Sequence, residues 1–137
     1  MRLGWFSMQR GKIVNRNRAA QIRDFTGLRF GNITPTDIDG LLDFGNKLFV
    51  LIEAKVDDTE LPYGQRLALE RLCDGLEVAG KMSIVLFVTH HTTPDQDIDV
   101  ANCQMVHCRY RGRWIEPEKP MTCREAIELF RNLAGVH

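Results

Sequence analysis

Residues 48–55 read Leu-Phe-Val-Leu-Ile-Glu-Ala-Lys, an apolar run that ends in a Glu-x-Lys tripeptide. The run up to Ile52 does not alternate between polar and apolar side chains. This is typical of a strand that is covered on both faces and is therefore central in its sheet. Alternate residues of a strand share a face, so Glu53 and Lys55 project together at the point where the apolar run stops.

An acidic residue precedes this strand at the distance of a short hairpin, since Asp39 lies fourteen residues before Glu53. The pattern predicts strands over 38–44 and 47–55, with Gly45-Asn46 as a two-residue turn that supplies the positive φ of tight hairpins. If the strands pair antiparallel, the two carboxylates lie side by side. Two carboxylates and a nearby ammonium can hold a divalent metal and position a water, which is the chemistry of phosphodiester cleavage.

A helix is predicted over 62–79, because Pro62 suits a first turn and Gly80 suits the position just past the end. Its predicted core stripe has the spacing i, i+4, i+7 and i+11 and consists of Gln65, Leu69, Leu72 and Leu76. A long amide is a poor core residue. We therefore expect Gln65 to reach the rim of the acidic cluster.

Further elements are predicted on either side of this region. Strands are expected over 83–88 and 104–110. A capping box of Thr122 and Glu125 begins a last helix that ends at Gly135. The N-terminal part is predicted to consist of an irregular and mobile segment over 1–14, a helix over 15–25 and a short strand over 28–33.

This order of elements places the chain in the α/β class. A strand, a helix and a second strand in succession indicate a right-handed crossover and at least one parallel pair. We expect a single domain over residues 1–137, with a three-layer core in which helices flank a mixed central sheet.

The composition excludes several protein classes. Hydrophobic residues make up 44% of the 137 and charged residues 26%, as in ordinary globular proteins. No apolar run approaches the ~20 residues that span a bilayer, and the first residues offer too short an apolar segment for a secretory signal. A cytoplasmic location without a membrane partner is the expectation.

The cysteines form no Cys-x-x-Cys pair; they are Cys73, Cys103, Cys108 and Cys123. We predict buried or half-buried free thiols in a reducing compartment. The alternative is a zinc site of Cys103, His107 and Cys108, although this spacing fits no common zinc module.

The formal net charge is zero, but the charges are unevenly distributed. Residues 1–30 carry seven Lys and Arg against one acid, whereas residues 31–80 carry four against ten. A basic arm beside an acidic centre suits a protein that binds phosphates with one part and cations with another, and a solvated basic helix face explains the arm equally well. The candidate nucleic-acid contacts are Arg16, Arg18, Arg23 and Arg66. Further candidates for phosphate binding, or merely for solubility, are Arg109, Arg111 and Arg113.

The order of Asp39, then Glu53-Ala54-Lys55, then a helix with Gln65 resembles the PD-(D/E)xK nuclease superfamily. The most similar types are small phage-type and virus-type replication-repair nucleases and archaeal Holliday-junction resolvases. The run from Gly64 to Leu72 resembles the helix after the catalytic strand in such phage proteins. The resemblance covers roughly residues 15–90. The Pro-Asp pair of the family name is absent, so Asp37 stays a second candidate for the role of Asp39.

The resemblance implies a restriction-endonuclease-like core and a set of site residues. Asp39, Glu53 and the backbone carbonyl of Ala54 would hold Mg²⁺ or Mn²⁺, hard cations that prefer oxygen. Lys55 would orient the attacking water or offset charge on the phosphorane. Gln65 would hydrogen-bond the nucleophile or a phosphate.

The expected function is hydrolysis of DNA phosphodiester bonds by a metal-dependent endonuclease or junction resolvase, in a phage or bacterial context. A resolvase would act as a homodimer, since two strands must be cut symmetrically. The alternative is a non-catalytic nucleic-acid-binding or assembly protein on a nuclease-like scaffold. A third possibility is an interaction protein with no nucleic-acid partner.

Overall fold

The computed structural model describes residues 8–9, 11–57 and 59–137, with the side chains of residues 8, 9, 18 and 19 excepted. The chain divides into two compact units, one that ends at Pro35 and one that runs from Thr36 to His137. The expectation of a single domain over residues 1–137 stays a prediction.

The N-terminal unit contains short elements. Strand β1 (Met8–Gln9) pairs antiparallel with β2 (Lys12–Ile13), and helix α1 (Arg16–Ala19) follows. The predicted irregular segment over 1–14 is therefore wrong where it covers these two strands, and residues 1–7 and 10 lie outside the described residues. A single 3-10 turn spans Thr26–Leu28.

Two predicted elements of this unit are wrong. The helix expected over 15–25 stops after one turn, and the strand expected over 28–33 is reduced to one bridge between Phe30 and Ile33. Ile22, which would belong to the buried side of the helix, is 70% exposed. Short helices in water depend on the packing of an apolar face for their stability.

The second unit is built on a sheet whose five strands, within the described residues, follow one another in spatial order. These strands are β3 (Gly40–Phe44), β4 (Leu48–Val56), β5 (Met82–His90), β6 (Gln104–Tyr110) and β7 (Arg113–Ile115). β4 and β5 pair in parallel, and the other neighbours pair antiparallel. The α/β class and the mixed sheet are thereby confirmed.

The predicted hairpin is present with two adjustments, and the first is that β3 begins at Gly40 and not at 38. The second is that Phe44 pairs with Leu48, so the loop has three residues instead of two. Gly45 and Asn46 both have positive φ, of 60° and 62°. The side chain of Asp43 accepts a hydrogen bond from the Asn46 N–H at 2.7 Å, which closes the longer loop.

Two helices of the second unit match their sequence signals. α2 (Tyr63–Val78) begins directly after Pro62, and α3 (Cys123–Ala134) begins with the predicted capping box of Thr122 and Glu125. Gly135 ends α3 in the left-handed conformation, with φ 67°. The capping box and this glycine satisfy backbone groups at the two ends of α3 locally.

The two helices contact opposite faces of the sheet, because side chains alternate along each strand. α2 packs through Leu69 and Cys73 onto Leu51 and Val85. The predicted stripe is corrected at one position, since Leu72 is 44% exposed and Cys73, four residues after Leu69, is buried instead. The other face packs against α3, and its core consists of Leu48, Val50, Ile52, Ile84, Leu86, Val88, Cys103, Cys108, Cys123, Ala126 and Phe130.

All four cysteines are buried and free, as predicted. Burial raises the pKa of Cys108 to about 12 and that of Cys123 to about 11, and it also raises the pKa of Cys73 and Cys103. Their thiols are therefore core groups in a protonated state. Within the described ranges, no helix combines the length and the apolar character that crossing a membrane requires.

Candidate active site

The hairpin register sets the two predicted acids against each other. Gly40, the first residue of β3, pairs with Ile52 of β4, so the preceding residue, Asp39, comes opposite Glu53. Asp39 is fixed there by its own side chain, which accepts a hydrogen bond from the Ala54 N–H at 2.8 Å. The structure therefore brings Asp39 and Glu53 together at the end of the hairpin.

Glu53 is a buried acid, with only 1% of its surface exposed. Its Oε1 accepts a hydrogen bond from Gln65 Nε2 at 2.7 Å and lies 3.6 Å from the Lys55 ammonium. Its other oxygen, Oε2, is buried, and none of the residues that the structure describes donates a hydrogen bond to it. A buried carboxylate oxygen without a partner is costly, so this atom indicates a position that a ligand can satisfy.

The environment of Glu53 makes its carboxyl a weak acid. Burial above all, and then the negative charge of the neighbouring Asp39 carboxylate, raise the pKa of Glu53 from 4.5 to about 7. The Lys55 ammonium and the Gln65 amide act in the opposite direction. The raised pKa means that Glu53 holds its proton more tightly than an ordinary carboxyl does, and a bound cation can replace that proton.

Gln65 reaches this cluster from α2, as the sequence predicted. It precedes Leu69 by one turn and so projects from the same, sheet-facing side of the helix. Besides Glu53, its amide lies 3.4 Å from both the carbonyl and the Oδ1 of Asp37. Asp37 thus contacts the amide, whereas Asp39 lies opposite the buried acid.

The donor set suits a hard divalent cation. Mg²⁺ is commonly held by one or two carboxylates, with waters and substrate phosphates at its other positions. Asp39 and Glu53 supply two such carboxylates, one of them with an unpartnered buried oxygen. The part of the chain that the structure describes contains no group of three His, Cys, Asp or Glu side chains placed to hold a metal, either here or at the cysteines.

A second polar cluster lies where β4 and β5 end, and it includes a residue that the sequence analysis missed. Asp57 has a positive φ of 51°, and its Oδ1 is 2.7 Å from His91 Nδ1. Its carbonyl also accepts a hydrogen bond from Thr89. The available signal was its place two residues after Lys55, at the carboxyl end of a central strand.

The candidate nucleic-acid contacts belong to different units. Arg16 and Arg23 belong to the N-terminal unit, and the side chain of Arg18 lies outside the described residues. Arg66 is on α2, where its Nε donates to Glu70 at 3.2 Å. It therefore follows Gln65 directly in the second unit.

The alternation of Arg109, Arg111 and Arg113 does not create one phosphate-binding face. Arg109 is only 12% exposed and is held by two hydrogen bonds to Asp74. Arg111 lies in the turn and is stacked 5.2 Å from the Tyr110 ring. Arg109 is thus a structural residue that joins β6 to α2.

Comparison of the chain with models of protein families, with curated proteins and with solved structures gave no match.

Proposed function

We propose that this protein is a metal-dependent nuclease that hydrolyses DNA phosphodiester bonds, as an endonuclease or a junction resolvase. The observation that carries the proposal is the buried Glu53 carboxyl, which has one oxygen without a partner and a second carboxylate beside it. The order of these residues in the chain is that of the PD-(D/E)xK superfamily.

A purely structural ion pair explains the cluster less well. Lys55 Nζ lies 3.6 Å from Glu53 Oε1, beyond the range of a good hydrogen bond, and it leaves the other oxygen unsatisfied. A second acid next to a buried acid also destabilises the fold unless a cation is present. The arrangement is costly for the folded chain and favourable for binding a divalent ion.

Asp39 and Glu53 are the side chains that would hold Mg²⁺ or Mn²⁺. When bound, such a cation lowers the pKa of an attacking water and offsets the charge of the phosphate. Lys55 places a point charge beside the same position, where it stabilises negative charge that develops during attack on phosphorus. Gln65 holds Glu53 through its amide and leaves the second carboxylate oxygen free.

The architecture supports the same proposal. Helices pack on both faces of the mixed sheet, and this is compatible with the three-layer, restriction-endonuclease-like core that the proposal requires. The candidate carboxylates lie on the α2 face, at the end of a hairpin strand that pairs in parallel with β5. The basic residues of the first thirty positions would supply contacts to the phosphate backbone.

The test is cleavage of supercoiled plasmid and of a branched four-way DNA junction. The wild-type protein should cut at least one of them with Mn²⁺ or Mg²⁺ and neither of them in EDTA. Glu53→Ala and Lys55→Ala should each reduce the rate by about 10²-fold or more, as removal of a charge-stabilising group typically does. The matched control is Lys47→Ala, an exposed lysine just before the other end of β4, which should cut at the wild-type rate.

Cleavage by the Glu53→Ala protein at the wild-type rate would overturn the assignment. Calorimetry with Mn²⁺ distinguishes the metal-dependent nuclease from the non-catalytic DNA-binding alternative. A DNA-binding protein without a metal site predicts no heat and no proton release, together with salt-sensitive binding to the same DNA.

A further inference from the structure

A groove of about 280 Å³ lies on the same face of the sheet as the candidate carboxylates. Its position follows from the strand register, because Phe87 of β5 pairs with Glu53, and His107 of β6 pairs with Phe87. Residues paired across neighbouring strands share a face. The groove is lined chiefly by Leu61, Arg66, Phe87, His107 and Trp114, with Glu60 and Glu116 as its acidic residues.

The walls of the groove are planar rings. The Phe87 and His107 rings are nearly parallel, with centroids 6.0 Å apart and an angle of 13° between them. Trp114 meets His107 edge to face, with centroids 6.5 Å apart. His107 is 40% exposed, so part of its surface is available to a ligand. Such surfaces suit a flat, aromatic ligand that can stack.

The polar side of the groove is held in place by one carboxylate. Glu70 accepts hydrogen bonds from Trp114 Nε1 and from Arg66 Nε. The Arg66 guanidinium lies 5.0 Å from the centre of the Trp114 ring. Both groups are thus oriented before a ligand arrives, which reduces the entropic cost of binding.

The charge of the groove does not favour a phosphate. Glu60 and Glu116 contribute two negative charges and Arg66 one positive charge. The excess of negative charge is only weakly unfavourable for an anion, since Glu116 is 78% exposed, whereas carboxylates can accept hydrogen bonds from the amino groups of bases. The groove volume of about 280 Å³ is large enough to hold one base.

We propose that this groove binds one unpaired nucleobase of the substrate strand, next to the phosphate that is cut. That the ligand belongs to a DNA strand rests on the proposed function. That the bound group is a base rests on the shape and the side chains of the groove. It implies that the preferred DNA has an unpaired nucleotide beside the cleavage position, as at a branch, a flap or a single strand.

The test measures base binding without hydrolysis. Trp5→Phe leaves Trp114 as the single tryptophan, and its fluorescence is titrated in EDTA with a single-stranded tetranucleotide. Saturable quenching is expected. An otherwise identical oligonucleotide with one abasic position should bind on the order of tenfold more weakly, as the loss of one stacked base predicts.

Substitutions locate the effect. His107→Ala should weaken binding of the intact oligonucleotide by a similar factor, and His107→Phe, which keeps a ring, should restore it. His137→Ala, outside the groove, should change nothing. Thermal melting establishes that each variant is folded. The comparison of intact and abasic oligonucleotides requires no substitution in the groove.

Absent quenching, equal affinity for intact and abasic oligonucleotides, or an unchanged affinity in folded His107→Ala protein would each overturn the proposal. If inorganic phosphate displaced the bound oligonucleotide as effectively as an unlabelled oligonucleotide at the same concentration does, the groove would be an anion site and the proposal would be overturned. The two proposals can fail separately. Base-dependent quenching without any DNA cleavage would support base binding in the groove and contradict the nuclease proposal. Cleavage that is equally fast with and without an abasic position would support the nuclease proposal and contradict base binding in the groove.

Discussion

Glu53 is an acid that the fold places almost wholly out of water, beside a second acid and within reach of the Lys55 ammonium. A hydrophobic residue would serve the core better at this position. Gln65 and Lys55 reduce the cost only in part, since both of them act on Oε1. The residue therefore lowers the stability of the metal-free protein, a cost that the proposed function would explain by the binding of a cation.

The pH dependence of stability should report this cost. The pKa of Glu53 is about 7 in the folded protein and 4.5 when unperturbed, so the folded state retains a proton that the unfolded state releases between these values. The contribution of Glu53 to stability is therefore largest below pH 4.5, falls as pH rises through the window, and is constant above about pH 7. The loss should be roughly 2–4 kcal/mol.

Urea denaturation in EDTA at pH 5 and pH 8 measures this loss, and Glu53→Gln should remove most of it. The same pH dependence in the wild type and in Glu53→Gln would contradict the prediction. Glu118→Gln, a substitution at an exposed acid away from the hairpin, controls for a general effect of charge.

At the scale of elements, α3 offers the clearest relation between sequence and stability. Thr122 Oγ1 accepts a hydrogen bond from the Glu125 N–H, and Glu125 Oε1 accepts one from the Thr122 N–H, each at 3.1 Å. The helix that these bonds start packs against one face of the sheet through Cys123, Ala126 and Phe130.

Thr122→Ala should reduce the free energy of unfolding by about 1 kcal/mol, because it removes the cap of a helix that the core requires. Chemical denaturation gives the value, and Thr122→Ser, which keeps the hydroxyl, should behave like the wild type. An equal loss in both variants would mean that the methyl group, and not the cap, stabilises this end.

Local signals allowed α2, β6 and α3 to be predicted, since Pro62, Gly80 and the capping box are properties of the chain itself. The helix over 15–25 could not be judged in this way. Whether Ile22 finds a core is decided by tertiary packing. The hairpin loop was misjudged by one residue because the side chain of Asp43 closes a longer turn than Gly-Asn alone implies.

The candidate site residues could be predicted because, like the central strand, they follow from local periodicity in the sequence. Glu53, Lys55 and Gln65 follow from two periodicities, that of a strand and that of a helix. Asp57 and the groove beside Phe87 were not predictable. They depend on the register of β5 with β4 and of β6 with β5, which is set by interactions between residues far apart in sequence.

The formal net charge of the whole molecule is zero, but the two parts of the chain carry opposite net charges. The first 35 residues carry seven basic residues against one acid, which leaves eleven against seventeen in the remaining 102. A substrate with a phosphate backbone would be attracted to the first segment and would meet a negative second unit. A cation at the candidate site would locally reverse that sign.

Arg16, Arg18 and Arg23, replaced together by Gln, should therefore weaken DNA binding and reduce its salt dependence. For every phosphate that the variant no longer neutralises, the slope of log affinity against log salt should fall by about 0.9 on duplex DNA. The control replaces three exposed basic residues of the second unit, Lys47, Arg71 and Lys119, by Gln and should leave the slope unchanged. A slope unchanged in the N-terminal triple variant would show that the arm does not bind the phosphate backbone.

The four thiols of the core have a practical consequence. Since all of them are buried and protonated, they should be almost inert to maleimides at neutral pH. A cysteine introduced on the surface would then be the sole point of attachment for a fluorophore or a spin label. Distances between chosen positions could be followed while DNA and metal are added, with every native cysteine left in place.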